Sequence, residues 1–160
     1  MTGFYFEDLA LGQSFATAET EITAADIVDF ARRFDPQEFH LDAAAAEASA
    51  FGGLVASGLH TLSLSFRLFF DLRLWPEAIL GSPGMREVLW LKPLRPGDRI
   101  RAVAEIVELR RSESKPDRGI VTMRHDTFNQ QGERIMTALC LHLLRARPAG
   151  DLPRQKSAGR

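Results

Sequence analysis

Residues 59–74, LHTLSLSFRLFFDLRL, constrain the fold more than any other stretch. Leu59, Leu62, Phe66, Phe69 and Phe70 fall on one apolar stripe of a helix, and Leu64, Leu68 and Leu72 form a second stripe beside it. Ser57 is placed to cap the start, and Pro76 stops the helix after Leu74. A helix apolar around most of its girth has to be wrapped by other structure. At about 1.5 Å per residue it is roughly 25 Å long, enough to cross a whole sheet. His60, Arg67, Asp71 and Arg73 interrupt the run and exclude a membrane span.

The flanking sequence supplies the wrapping. QSFATAETEI, residues 13–22, has the pattern of a strand. TAADIVDFARRF predicts a helix, with Thr23 and Asp26 as a capping box and Ile27, Phe30, Ala31 and Phe34 as its buried face. Pro36 ends it, because proline disfavours helical geometry at Asp35. A second short helix covers AAAAEA with Asp42 as its cap. After Gly84 the period changes to two. MREVLWL, RIRAVAEIVEL, RGIVTMRHDTF and RIMTALCLHLL read as four antiparallel strands joined by KPLRPGD, RRSESKPD and NQQGE. The expected fold is α+β, one antiparallel sheet wrapped around one long central helix. Its 160 residues suit a single domain over 1–147. The Pro-, Gly- and Arg-rich tail, 148–160, is predicted to be disordered.

A formal net charge of −1 argues against nucleic acid or a membrane surface as partner. The single Cys140 excludes an internal disulfide and a cysteine metal cluster, and reads as a small core residue. MTGFYFEDLALG carries acidic residues where a signal peptide needs basic ones, so a cytoplasmic location is expected.

The stretch FDPQEFH concentrates the chemistry. Asp35 and His40 are five positions apart, which no regular helix brings side by side. Alone, Asp35 reads as a helix-ending Asp-Pro turn and His40 as a histidine satisfied by a carbonyl. Together, in an irregular segment between Phe34 and Phe39, they suit an acid–base pair whose carboxyl pKa desolvation can raise. Gly58 opens the long helix, where unpaired N–H groups and the positive dipole end can hold an oxyanion. Ser57 is a cap rather than a nucleophile, since the strained elbow of serine hydrolases is missing. His60 lies one turn in and either lines a pocket or packs in the core. "HLD" lacks the further ligands a metal needs, so no metal is expected. His125 and His142 sit in strand patterns and read as structural or exposed. The arginine pairs 32–33 and 110–111 read as solvated surface charge.

Three motifs resemble the MaoC-like dehydratase family, the hydratase branch of the hotdog fold. DPQEFHLD matches the family's Asp-x-Asn-Pro-x-His-x-Asp in the spacing of Asp35, His40 and Asp42. FGGLVASGLHTLSL matches its Phe-Gly-x-x-Ile-Ala-His-Gly helix opening, and PLRPGD a turn before a long strand. The likeness spans about residues 5–147. Gln37-Glu38 replaces the usual Asn-Pro, the proline sits at Pro36, and Ser57 replaces the usual histidine. The resemblance implies reversible hydration of a trans-2-enoyl-CoA to a (3R)-3-hydroxyacyl-CoA. It implies catalytic roles for Asp35, His40 and Gly58, with Ser57, His60 and Phe39 around the substrate. No metal or redox cofactor is implied, coenzyme A entering only as part of the substrate. A homodimer, or a dimer of dimers, is implied as well. Acyl-CoA thioester hydrolysis and a non-catalytic subunit of a heteromeric dehydratase are the alternatives.

Overall fold

The computed structural model describes residues 3–150. Of the tail expected to be disordered, residues 151–160 lie outside the described residues. A 3-10 turn, Phe6–Asp8, precedes β1 (Ser14–Ala16) and β2 (Thr20–Glu21). Four helices follow: α1 (Ala24–Phe34), α2 (Glu38–Leu41), α3 (Ala43–Ala48) and α4 (Gly58–Asp71). Four long strands complete the order: β3 (Ile79–Trp90), β4 (Arg99–Arg111), β5 (Arg118–Asn129) and β6 (Arg134–Arg145). The sheet is antiparallel, in the order β1-β4-β5-β6-β3, with β2 also paired to β4.

Alternation on the strands sets which face receives α4. On β4, Ile100, Ala102, Ala104 and Ile106 are fully buried, while Arg99 and Glu108 reach solvent. On β5, Val121, Met123, His125 and Thr127 point the same way, opposite Met136, Ala138, Cys140 and His142 of β6. The α4 residues that meet this face are Thr61, Ser65 and Phe69, one turn apart. The two hydroxyl residues are small, so the helix lies close to the sheet. Thr127 Oγ1 donates to Ser65 Oγ at 2.8 Å, which satisfies two buried hydroxyls together. Phe69, 1 % exposed, anchors the far end, a burial that stabilises by about 2–3 kcal/mol.

The expected stripes are therefore only partly buried. Leu62, Leu64 and Leu68 are partly buried against a cluster that includes Ile22, Ile27, Leu94 and Ile100, whereas Leu59 and Phe70 remain 47 % and 50 % exposed. The helix also stops at Asp71, before Leu74, because Arg73 turns into the left-handed region at φ 49°. His125 and His142 are not exposed. Their Nε2 atoms face each other at 3.3 Å beneath Phe69, and neither Nδ1 has a hydrogen-bond partner among the described residues.

Other boundaries differ for local reasons. The expected 13–22 strand splits in two because Thr17 Oγ1, in place of a backbone carbonyl, accepts the Ala102 N–H at 2.9 Å. Strand β3 starts at Ile79 rather than after Gly84, with register shifts at its glycines. Pro83 is tolerated because β3 is a sheet edge. On α1 the capping box forms as expected, and Ile27 and Ala31 are fully buried. Phe34 is not; it is 57 % exposed, with its ring against Phe30 and under Arg33. In PLRPGD, Gly97 adopts φ +83° and Asp98 Oδ2 accepts the Arg95 N–H, closing the turn into β4. No helix among the described residues is long and apolar enough to cross a membrane.

Candidate active site

Asp35 is the residue at which α1 ends. Its N–H still bonds the Ala31 carbonyl, but φ −156° and ψ 70° swing the chain out of the helix ahead of Pro36. Gln37 then folds back and its Nε2 donates to Asp35 Oδ1 at 2.8 Å. One residue later α2 begins, so His40 sits in a single helical turn rather than in irregular chain, a correction to the expectation. That turn carries His40 back towards Asp35, and Nε2 lies 3.5 Å from Oδ2.

His40 is 5 % exposed, and its Nδ1 meets the Val55 carbonyl at 2.7 Å. A carbonyl only accepts, so Nδ1 carries a proton. In the neutral ring Nε2 then presents a lone pair towards the carboxylate. Two acceptors facing each other across 3.5 Å form no hydrogen bond of their own. A hydroxyl or water beside them can satisfy both.

Ser57 closes the arrangement from the other side. It caps α4, its Oγ accepting the Leu59 N–H at 3.1 Å and donating to Asp35 Oδ2 at 2.6 Å. The Ser57 hydrogen bond, then that of Gln37, holds the Asp35 carboxyl below the usual carboxylate range; burial opposes this and His40 adds to it. The expected rise by desolvation is thus reversed, because the segment that shields Asp35 also supplies two donors to it.

Gly58 is the first residue of α4, and its N–H has no partner among the described residues. It lines the same cavity of about 570 Å³ as Asp35, His40, Ser57, Phe39 and Trp90. The Trp90 ring lies so close that a Cβ on Gly58 would be 2.6 Å from it, and the indole N–H donates to the Gly58 carbonyl at 2.8 Å. Phe39 stands edge-on to His40 at 4.5 Å and against Phe51 at 5.2 Å, giving the cavity an apolar side.

Asp35, His40, Gly58, Ser57 and Phe39 are therefore brought together. His60 is not. It stacks flat on Phe30 at 4.4 Å, off the cavity lining, and burial lowers its pKa with Asp26 opposing. Its side chain follows Gly58 by half a turn and faces α1. Asp42 caps α3 through Oδ1 and the Ala45 N–H at 2.8 Å, as expected. Sequence reasoning missed Gln37, the Val55 carbonyl and Trp90. Gln37 had a signal, standing two residues from Asp35 where the resembled motif has asparagine; the other two join the site from 15 and 32 residues away, which no spacing marks.

A carboxylate and an imidazole at the amino end of a helix laid across an antiparallel sheet set the class of the protein: an α+β hotdog fold. Residues 7–129 match the family model described as "MaoC like domain", and the chain belongs to that family. It is similar to the solved MaoC-like dehydratase of Rhodospirillum rubrum, at 42 % identity over 91 % of this chain and 99 % of that one, with a TM-score of 0.85. It is also similar to the (R)-hydratase of A. caviae involved in PHA biosynthesis, at 26 % identity over 88 % of this chain and 99 % of the other, TM-score 0.68. Mesaconyl-CoA hydratase of Cereibacter sphaeroides is 30 % identical over 148 residues, 91 % of this chain and 42 % of that protein.

Proposed function

We propose that the protein adds water reversibly to a trans-2-enoyl-CoA, giving a (3R)-3-hydroxyacyl-CoA. The observation that carries this is the Asp35–His40 pair, 3.5 Å apart beside the amino end of α4. The hydratases among its relatives support the same reaction type.

In this mechanism a water lies between Asp35 Oδ2 and His40 Nε2. Asp35, ionised across the neutral range, takes a proton as the water oxygen attacks C3. The alkene electrons move through C2 to the thioester oxygen, which the Gly58 N–H stabilises. The same pair returns the proton to C2, so one water is consumed and nothing else is gained or lost. Acid–base assistance contributes about 10²–10⁴-fold and an oxyanion donor on the order of 10²–10³-fold. The thioester carbonyl and the helix end provide the electrophilic help, so the reaction needs no metal or redox cofactor, and coenzyme A arrives with the substrate. Ser57 holds Asp35, and Phe39 forms part of the acyl wall.

We further take residues 1–147 to act as one cytoplasmic domain in a homodimer. Leu59 and Phe70 of α4, and Met85 and Leu89 of the edge strand β3, are large apolar groups at least 41 % exposed, which a second copy would cover.

The test is purified protein mixed with crotonyl-CoA. Loss of the conjugated enoyl absorbance with formation of the (3R) alcohol is expected. Release of free thiol instead would make it a thioesterase. Binding without turnover would make it an acyl-thioester carrier or a partner-dependent subunit.

A further inference from the structure

Trp90 ends β3, 49 % exposed, and its hydrogen bonds run without a gap to Asp35. The indole N–H donates to the Gly58 carbonyl at 2.8 Å. The peptide that carries this carbonyl also carries the Leu59 N–H, which donates to Ser57 Oγ at 3.1 Å. The Ser57 hydroxyl in turn donates to Asp35 Oδ2 at 2.6 Å. That oxygen is the one facing His40. A donor placed on a peptide carbonyl makes the N–H of the same peptide a stronger donor, and links of this kind reinforce one another.

We propose that Trp90 is a positioning residue for the hydration reaction: its indole N–H fixes the Gly58–Leu59 peptide, and through Ser57 it fixes the carboxylate that handles the proton. The assignment rests on the hydratase reading above. Two features of the site carry it. The ring meets the Gly58 Cα so closely that only glycine fits, which holds the indole in register with the helix end. The indole is also open enough that water could satisfy its N–H, so folding does not by itself demand this bond. A phenylalanine would line the cavity equally well and supply no donor.

The experiment is a double-mutant cycle on enoyl-CoA hydration with wild type, Trp90→Phe, Ser57→Ala and the double variant, with melting temperature as a fold control. Trp90→Phe is expected to lower kcat about three- to tenfold, the range one neutral hydrogen bond spans, with KM within about twofold of wild type. In the Ser57→Ala background the same change is expected to leave kcat unaltered. Equal losses in both backgrounds, no loss in either, or a rise in KM alone would overturn the assignment. Should Trp90→Phe fold poorly, 3-benzothienylalanine at the same position removes only the N–H and serves in its place. A wild type that leaves enoyl-CoA untouched defeats the hydratase reading itself. The linkage is then decided by the indole ¹⁵N–¹H resonance of Trp90: a shift in Ser57→Ala supports it, and an unmoved resonance overturns it.

Discussion

The Ser57 hydroxyl donates to Asp35 Oδ2 at 2.6 Å, so the cap of the central helix and the carboxylate that ends α1 are one unit. This bond lowers the pKa of Asp35. It is the largest of the influences that hold the carboxyl below its ordinary range.

Ser57→Ala is therefore expected to raise the pKa of Asp35. The base would then be lost on acidification at a higher pH, moving the acid limb of kcat/KM upward. Activity at neutral pH should fall about 10- to 100-fold as the carboxylate loses its fixed orientation. The lost cap should also lower stability by about 1 kcal/mol. A pH–rate profile beside a denaturation curve separates the two effects. An acid limb that stays in place would mean that Asp35 is not the group being titrated.

Gly58→Ala is the second test. At most helix starts this change is mild. Here the new Cβ would lie 2.6 Å from the Trp90 ring, so the ring must leave. Trp90 emission should shift to the red against the steady contribution of Trp75, which is 3 % exposed. Hydration should slow by at least about tenfold, since the amide and its neighbour are both displaced. An unchanged spectrum and rate would contradict the close packing described for this pair.

The buried imidazoles give a stability test independent of catalysis. Burial pushes His125 down to about 3, with the neighbouring His142 adding to the effect, and pushes His142 down to about 4. An unfolded imidazole titrates near about 6.5. Below that value the unfolded chain binds protons that the folded chain refuses. Stability is thus complete above about pH 6.5 and falls as the pH drops towards the folded values, by up to about 1.4 kcal/mol per pH unit for each ring. Melting temperatures should decline between about pH 7 and pH 5, and His142→Leu should flatten that decline. Equal slopes in the two proteins would show that the pair does not control acid stability.

How much of this could be read from the chain follows from the range of each interaction. The Thr23–Asp26 box, the Asp42 and Ser57 caps and the stop at Pro36 are local, and all formed as the residue types imply. The Asp35–His40 pairing was legible through its spacing and the helix opening downstream. Phe34 and the outer stripes of α4 were misplaced, and the choice between pocket and core stayed open for His60, because hydrophobicity alone does not say which neighbour covers a residue. The helix meets its sheet through Thr61 and Ser65, residues that an apolar pattern discounts. Trp90 and the Val55 carbonyl reach the site through tertiary packing, which no spacing in the sequence records.

The most direct measurement is crotonyl-CoA hydration by wild type, Asp35→Asn and His40→Ala, each first shown to melt cooperatively near the wild-type temperature. Wild type is expected to consume the enoyl thioester, and each variant to lose at least about 10²-fold in kcat, as removal of a positioned acid–base group demands. Both variants turning over at the wild-type rate would contradict the claim that these two side chains share the reacting water.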